Sequence, residues 1–414
     1  MNVLFCKWNK ICIERLLSSQ VNVYLMLDDF DIEHMRPEKT IIEKCTSLYR
    51  IRSFDSLEEL SAVAVDMNDR NIKIDVIASF AEHSQYGAAY IAKLLNVDET
   101  SIDRAVLSRD KRAMKRKATQ AGIATANFIS IGQNKTGYDP QHIFNQLGNK
   151  VVVKPVSGVG AVSTVIIDTK EGLEKKILEK DVIETIFSRQ YVIEEYIDGD
   201  EYHADIVWRN EQEWIFVIGK YFGPCVDVEK NPELSGSYYL PEHRHQGFYI
   251  AVRELHKKIA EAFKIERGIV HLEFFQKKNG EIVFSEIGTR VGGGYIPETI
   301  KAYKGIDLRE IWIEELIDGK KENLAFAEKP VFPYLGWTNI SPTCSGTIIK
   351  IPREQHLKEN RHIVAYKWMR QLGERVEIAG SSTWCLLLLI GADSEQEMCE
   401  LVRKLHKDII IEAI

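Results

Sequence analysis

A chain of 414 residues with 45% hydrophobic and 28% charged residues exceeds the size at which one hydrophobic core stops growing, which predicts two to four packed units and excludes a disordered or low-complexity protein. A formal charge of −7 and an isoelectric point near 6.0 exclude a whole-protein electrostatic footprint for nucleic acid. Seven cysteines with no C-x-x-C pair argue against a disulfide scaffold or structural zinc site. No apolar run reaches bilayer length and no secretory h-region opens the chain, so the expectation is a cytoplasmic protein without a membrane partner.

Residues 1–107 alternate short apolar runs (Val3–Phe5, Val21–Leu27, Ile74–Phe80) with helical patterns such as Tyr86–Leu95. That alternation predicts an α/β layer with a mostly parallel sheet. The first run leads into Cys6-Lys7-Trp8-Asn9 rather than G-x-G-x-x-G, which disfavours a dinucleotide-binding oxidoreductase. Ser108 is the expected N-cap of a basic helix in which Met114, Ala118 and Ala121 recur at helical spacing and Gly122 ends the pattern. Its charges, Arg109, Lys111, Arg112, Lys115, Arg116 and Lys117, read by default as a solvated face, with Lys111 alone set apart.

Three valines then deliver Lys154 to the end of a strand, followed by Pro155 and a small-residue loop, Ser157–Ser163, before a second strand at Val165–Ile167. Successive N–H groups in such a loop can cradle phosphate oxygens; a plain hairpin turn is the alternative, because the G-x-x-x-x-G-K-[ST] pattern is absent. Residues 171–189 predict a charged amphipathic helix. Tyr191–Asp205 reads strand, turn, strand, with Asp198-Gly199-Asp200 as the turn. Of its acidic residues, Glu194, Glu195, Glu201 and Asp205, Glu201 stands where a carboxylate can accept from ribose hydroxyls; surface decoration is the default for the rest. Residues 221–246 read as a long loop of the kind that forms lids or substrate contacts, with His243, Arg244 and His245 as an exposed polar stretch, and Arg253–Phe263 reads as a helix.

Two β-rich runs, Ile269–Phe275 and Glu281–Ile287, are joined by a segment ending in Asn279-Gly280, a strong hairpin signal. A two-residue turn there sets Lys278 opposite Glu281, Phe275 opposite Phe284 and Glu273 opposite Glu286. Opposed like charges destabilise a sheet, and a divalent cation between them would remove the conflict. A three-residue loop would slip the register instead, or one carboxylate would reach solvent. Arg290-Val-Gly-Gly-Gly-Tyr295 makes a second glycine-rich turn before a helix ending near Lys304-Gly305. Residues 326–414 carry short strands around Thr347–Ile351 and Thr383–Ile390 and a last helix at Ser394–His406.

In this order, Asp110-Lys111, Val-Val-Val-Lys154-Pro155 with its loop, Glu194-Glu195-Tyr-Ile-Asp-Gly-Asp-Glu201, and Glu273 with Glu286-Ile-Gly-Thr-Arg290 resemble the ATP-grasp family over roughly residues 74–310. The C-terminal region and the Arg290 glycine turn look most like the branch that contains the L-amino-acid ligases. The resemblance implies an α/β fold, α+β in parts: an N-terminal parallel α/β domain (1–107), a central two-lobed ATP-binding domain (108–325, glycine-rich lid lobe about 112–190) and a small C-terminal capping domain (326–414).

It also implies roles. Lys111 and Lys154 match the lysines on the ATP phosphates, and Ser157, Gly158 and Gly160 belong to the lid loop. Glu195 and Ile197 match the backbone groups that read adenine, with Glu194 beside them, and Glu201 matches the ribose acid. Glu273 and Glu286 match ligands of Mg²⁺, with Mn²⁺ as a second ion, and Arg290 matches the catalytic arginine that neutralises charge during acyl transfer. The implied activity is ADP-forming ligation: a small-molecule carboxylate, an amino acid among the expected substrates, becomes an acyl phosphate and is coupled to an amine. Transfer to an acyl-carrier protein thiol and a non-catalytic ATP-binding sensor or scaffold are the alternatives, in a monomer or homodimer. One departure stands out: the family often carries Asn where this chain has Gly288, which leaves one oxygen ligand fewer for metal.

Overall fold

The computed structural model describes the chain apart from residues 98–100, 132–137, 159, 179–189, 229, 318–329 and 379–382. The boundary expected at 325–326, the C-terminal part of the helix expected over 171–189, and one residue of the 157–163 loop lie outside the described residues.

The N-terminal alternation folds into a parallel sheet in the order Ser47–Ile51, Asn22–Asp28, Asn2–Cys6, Val76–Ser79. Its strands Asn22–Asp28, Asn2–Cys6 and Val76–Ser79 are buried on both faces, as a parallel sheet covered by helices requires, and the edge strand Ser47–Ile51 is only partly buried. Val3 and Phe5 face the helix Lys10–Ser18, whereas Leu4 and Cys6 face the helices Leu57–Asp69 and Gln85–Leu94.

A second, antiparallel sheet runs Phe128–Ile131, Tyr191–Glu195, Val151–Pro155, Val165–Ile167, backed by the helices Pro140–Leu147 and Lys170–Leu178. The largest sheet has eight strands among the described residues: Ile282–Gly288, Arg267–Lys277, Gly199–Arg209, Gln212–Tyr221, Gly236–Tyr239, Tyr334–Ile340, Leu386–Ala392 and Ile363–Trp368. Both of its faces are covered, and successive residues feed opposite cores. Ile206, Phe216, Ile218, Val270 and Leu272 pack toward the helix Gln246–Phe263, and Val207, Val217 and Ile269 toward the helices Ile296–Lys304 and Leu308–Ile317. The last three of its strands come from residues beyond 330, so the C-terminal region is continuous with this sheet. Among the described residues no helix is long and apolar enough to cross a membrane.

Several local expectations need correction. Asp198-Gly199-Asp200 does not close a hairpin, because Tyr191–Glu195 and Gly199–Arg209 belong to different sheets and the intervening residues link them. The segment 221–246 is not all loop: Gly236–Tyr239 is a fully buried strand inside the large sheet. Gly236 sits there at φ +114°, and a Cβ on it would come within 1.9 Å of the Trp337 carbonyl oxygen, so this glycine is what lets two backbones approach. Ser108 is not an N-cap; it ends the helix Ile102–Arg109. Asp110 caps the next helix, Lys111–Gln120, by accepting from the N–H groups of Arg112 (2.9 Å) and Ala113 (3.4 Å).

The hairpin at 269–288 departs from the expected turn in an instructive way. Lys277 N–H donates to the Glu281 carbonyl (2.9 Å) and Gly280, at φ +86°, donates to the Lys277 carbonyl (2.8 Å), which makes a three-residue loop with glycine in the left-handed position. The outer register is accordingly slipped, and Phe284 faces Phe274 rather than Phe275. A β-bulge between Glu273 and Phe274 takes up the slip, leaving Ser285 as the extra residue, and Glu273 faces Glu286.

Candidate functional site

The capped helix at 111–120 presents Lys111, Met114, Lys115 and Ala118 on one buried face, the i, i+3, i+4, i+7 stripe of a packed helix. Lys111 is buried, set apart from the solvated face as expected, and the solvated-face reading fails for Lys115 and also for Arg109, which is buried in the preceding helix. Lys111 Nζ lies 2.6 Å from Glu286 Oε2 and donates to the Gly158 carbonyl (3.0 Å). Lys115, 0% exposed, reaches Glu194 Oε2 (3.3 Å) and the carbonyl of the bulged Ser285 (3.2 Å). Lys154, carried by the strand Val151–Pro155, meets the same Glu194 Oε2 at 2.9 Å.

Glu194 is thus no surface decoration. It is buried between two ammonium groups, and its Oε1 has no hydrogen-bond partner among the described residues. Burial pulls the Lys154 ammonium toward losing its proton, but the charges of Glu194 and Glu286 outweigh it and hold the pKa above its ordinary value. For Lys115 burial wins over Glu194, and the pKa falls to about 8.

The facing carboxylates follow. Glu273 Oε1 accepts from the Tyr221 hydroxyl (2.9 Å) and lies 3.2 Å from His271 Nε2. Burial raises the pKa of the Glu286 carboxyl, yet Lys111 and Lys154 outweigh that and hold it well below the usual carboxylate range. Glu201, from the strand Gly199–Arg209, accepts from the Cys225 N–H (2.8 Å); burial, then the charge of Glu273, pushes its carboxyl up to about 8.

Arg290 ends this run. Its Nε donates to Glu82 Oε2 and its Nη1 to the Val291 carbonyl (2.7 Å). Glu82 Oε1 accepts from Arg109 Nη1 (2.6 Å), while Arg109 Nη2 donates to the Ser157 carbonyl (2.9 Å). A carboxylate from the N-terminal sheet's edge thereby joins two guanidinium groups and, through Arg109, the glycine loop. Ser157 itself does not line the cavity described below; its carbonyl is turned to Arg109. Gly288 lies under this cluster: a Cβ there would sit 3.3 Å from Glu82 Oε2 and 3.4 Å from Arg290 Cγ, so the space beside residue 288 is already crowded by the Glu82–Arg290 pair.

These groups surround a cavity of about 360 Å³ between the two antiparallel sheets, within the range of small-molecule sites. Lys111, Lys115, Lys154, Glu194 and Glu201 line it together with Glu82, Glu273, Glu286 and Arg290, and the glycine loop contributes Gly158 and Gly160. Glu195, at the end of its strand, and Ile197, in the link between the sheets, border it, and Glu195 pairs its carboxylate with Asn127 Nδ2 (2.9 Å) at the surface. The residues suit the groups the sequence resemblance implies. Glu273 and Glu286 are hard oxygen donors in mutual contact, fit to hold a divalent cation, and three lysines suit an oligophosphate.

Sequence reasoning missed Lys115, Glu82 and Arg109. Lys115 carried a usable signal, since it shares the helical stripe of Met114 and Ala118. Glu82 carried none, because its partners lie 27 and 208 positions away.

Residues 147–298 match the ATP-grasp domain model. The chain is 26% identical over 317 residues to the L-arginine-specific L-amino acid ligase of Bacillus subtilis, an alignment spanning 76% of this chain and 74% of that protein. It is 23% identical over 316 residues to the alanine–anticapsin ligase of Bacillus subtilis (strain 168), spanning 70% of this chain and 60% of that protein. Among solved structures, the L-amino acid ligase from Bacillus licheniformis superposes with a TM-score of 0.76 at 19% identity, covering 100% of this chain and 98% of that one. Domain match, fold and relatives agree: residues 147–298 carry an ATP-grasp domain match, and the chain as a whole is similar to ligases of amino acids.

Proposed function

We propose that the protein is an ADP-forming ligase that activates the carboxylate of an amino acid as an acyl phosphate and couples it to an amine. The observation that carries this reading is the convergence, in one cavity, of Lys111 and Lys154 with the facing pair Glu273–Glu286 and with Arg290. A carboxylate oxygen is a poor leaving group, so amide formation in water needs prior activation. Transfer of the γ-phosphoryl group of ATP to the carboxylate supplies it, and that step asks for positioning and charge neutralisation more than for covalent help.

Each part of the site has a task on this reading. The ammonium groups of Lys111 and Lys154 neutralise the phosphates, Gly158 and Gly160 cover them, and Glu201 accepts from the ribose. Glu273 and Glu286 would hold Mg²⁺ or Mn²⁺, which supplies further neutralisation of the phosphate oxygens when bound. Arg290, fixed by Glu82, stabilises the oxyanion formed as the amine attacks the activated carbonyl, after which the carbonyl–phosphate bond breaks and inorganic phosphate leaves. The names of the relatives support an amino acid as the carboxylate donor.

The test is a phosphate-release screen over pairs of amino acids and small amines, with mass spectrometry on the hits. ADP and phosphate are expected only when acid and amine are both present, with a product lighter than the two substrates by one water. Release of AMP and pyrophosphate would contradict the proposal.

A further inference from the structure

Beside the cavity, but not exposed to it along most of its length, runs a chain of polar side chains to which neither the phosphates nor the amine has been assigned. His203 Nδ1 lies 2.7 Å from Asp205 Oδ2, and Asp205 Oδ1 lies 2.9 Å from His271 Nδ1. His271 Nε2 in turn lies 3.2 Å from Glu273 Oε1. At the far end His203 Nε2 is 2.8 Å from Ser237 Oγ, which also accepts from Trp337 Nε1 (3.1 Å), and the Tyr239 hydroxyl donates to Asp205 Oδ2 (3.3 Å). His203 and Asp205 are 0% exposed. Buried polar groups of this kind are costly unless fully satisfied, and here every member has its partners.

The fold makes room for this chain with two glycines. Gly219 faces His203 across the strand pair, and a Cβ on it would come within 2.2 Å of His203 Nε2. Gly292, from the turn after Arg290, would place a Cβ 2.6 Å from Asp205 Oδ1 and 3.0 Å from His271 Nδ1. Neither contact is at the far end of a flexible chain, so a side chain at either position would displace the network. Part of the second glycine-rich turn is therefore explained by what it covers.

Geometry also says what the chain does. Asp205 offers one oxygen to each histidine, so both Nδ1 atoms donate to it, and this fixes the ring orientation of His271. His271 Nε2 and the Tyr221 hydroxyl then converge on the same oxygen, Glu273 Oε1. Held at Oε1 from two sides, the carboxylate of Glu273, which faces Glu286 across the hairpin, is fixed in its rotation. We infer that His203, Asp205 and His271 are positioning residues that orient Glu273 for its divalent cation, acting from outside the ligand set. Side chains that hydrogen-bond a metal ligand from behind hold it in place and typically contribute about 10–100-fold in metal affinity or activity.

This inference rests on Glu273 being a metal ligand, and the test separates the two claims. Mn²⁺ is titrated by electron paramagnetic resonance into the full-length protein with a non-hydrolysable ATP analogue, for the parent and for Glu273→Gln, Asp205→Asn, His203→Leu and His203→Asn, with circular dichroism to establish that each is folded. Glu273→Gln and Asp205→Asn are both expected to weaken Mn²⁺ by about tenfold or more. His203→Leu should weaken it as well, and His203→Asn, whose amide can donate from the Nδ1 position, should recover most of the affinity. Should Asp205→Asn not fold, the His203 pair carries the test alone. If Glu273→Gln loses Mn²⁺ while folded Asp205→Asn and His203→Leu stay within twofold of the parent, the positioning role is overturned and the ligand assignment stands. Unchanged affinity in Glu273→Gln overturns both. One equivalent of transition metal in the purified protein that is lost in His203→Leu would also overturn it, since those three side chains would then be ligands themselves.

Discussion

Glu286→Ala is expected to lower the rate of ADP formation by about 10³-fold or more, the scale of removing a preorganised charge-stabilising group from a phosphoryl-transfer site. Two effects combine. The substitution removes one of the facing carboxylates, and it releases Lys111 Nζ from its 2.6 Å contact, so the ammonium that should meet phosphate loses the group that orients it. Glu286→Gln keeps the shape without the charge and is expected to recover no more than a small part of the rate. The check is ADP release under saturating ATP and Mg²⁺ with the substrate pair that gives the highest parent rate. Activity within tenfold of the parent in Glu286→Ala would remove Glu286 from the site.

Arg290→Ala is expected to reduce kcat by about 10²–10³-fold, the usual cost of one oxyanion-stabilising donor, while KM for ATP moves by less than about threefold, because the task proposed for Arg290 is at the acyl carbon rather than at the nucleotide. Arg290→Lys should recover little, since the planar fork that pairs with Glu82 is lost. Glu82 makes the same cluster visible in stability. Burial alone would raise its pKa, but Arg290 and Arg109 outweigh burial and bring it from 4.5 to about 2. A carboxyl whose folded pKa is depressed contributes stability above its unfolded pKa and loses it as the pH falls, here between about pH 4.5 and pH 2. The size of that contribution is about 3 kcal/mol. Chemical denaturation at several pH values should show this acid limb in the parent and a flatter one in Glu82→Gln.

How much of this was legible beforehand depends on the range of the interaction. The alternation of strands and helices in the first hundred residues, Lys154 at a strand end, and the Glu273–Glu286 pairing all rest on patterns a few residues long. Even there the agreement hides a compensation. Asn279-Gly280 reads as a two-residue turn, the chain forms a three-residue loop, and a bulge at Ser285 restores the facing pair. The bulge could not be read locally, because its carbonyl is stabilised by Lys115, 170 positions away.

The errors have one physical origin. Charged residues read as surface when their partners are distant in sequence: Lys115 and Glu194 neutralise each other from different elements, and Asp205 is buried by histidines on its own strand and on the neighbouring one. The segment 221–246 reads as loop throughout because sequence alone does not show that a backbone passes close behind Gly236. Gly288, a gap in the family's usual ligand set, is crowded by Glu82 and Arg290, which belong to a segment about two hundred positions earlier and to the next turn of chain.

The most direct measurement of the central claim follows an oxygen atom. With the carboxylate of the amino acid substrate labelled with ¹⁸O, activation as an acyl phosphate moves one labelled oxygen to the inorganic phosphate released with ADP, because the amine displaces phosphate by breaking the bond to the acyl carbon. The account predicts one ¹⁸O per phosphate for each amide formed, by mass spectrometry. Unlabelled phosphate, or label recovered in AMP, would contradict it.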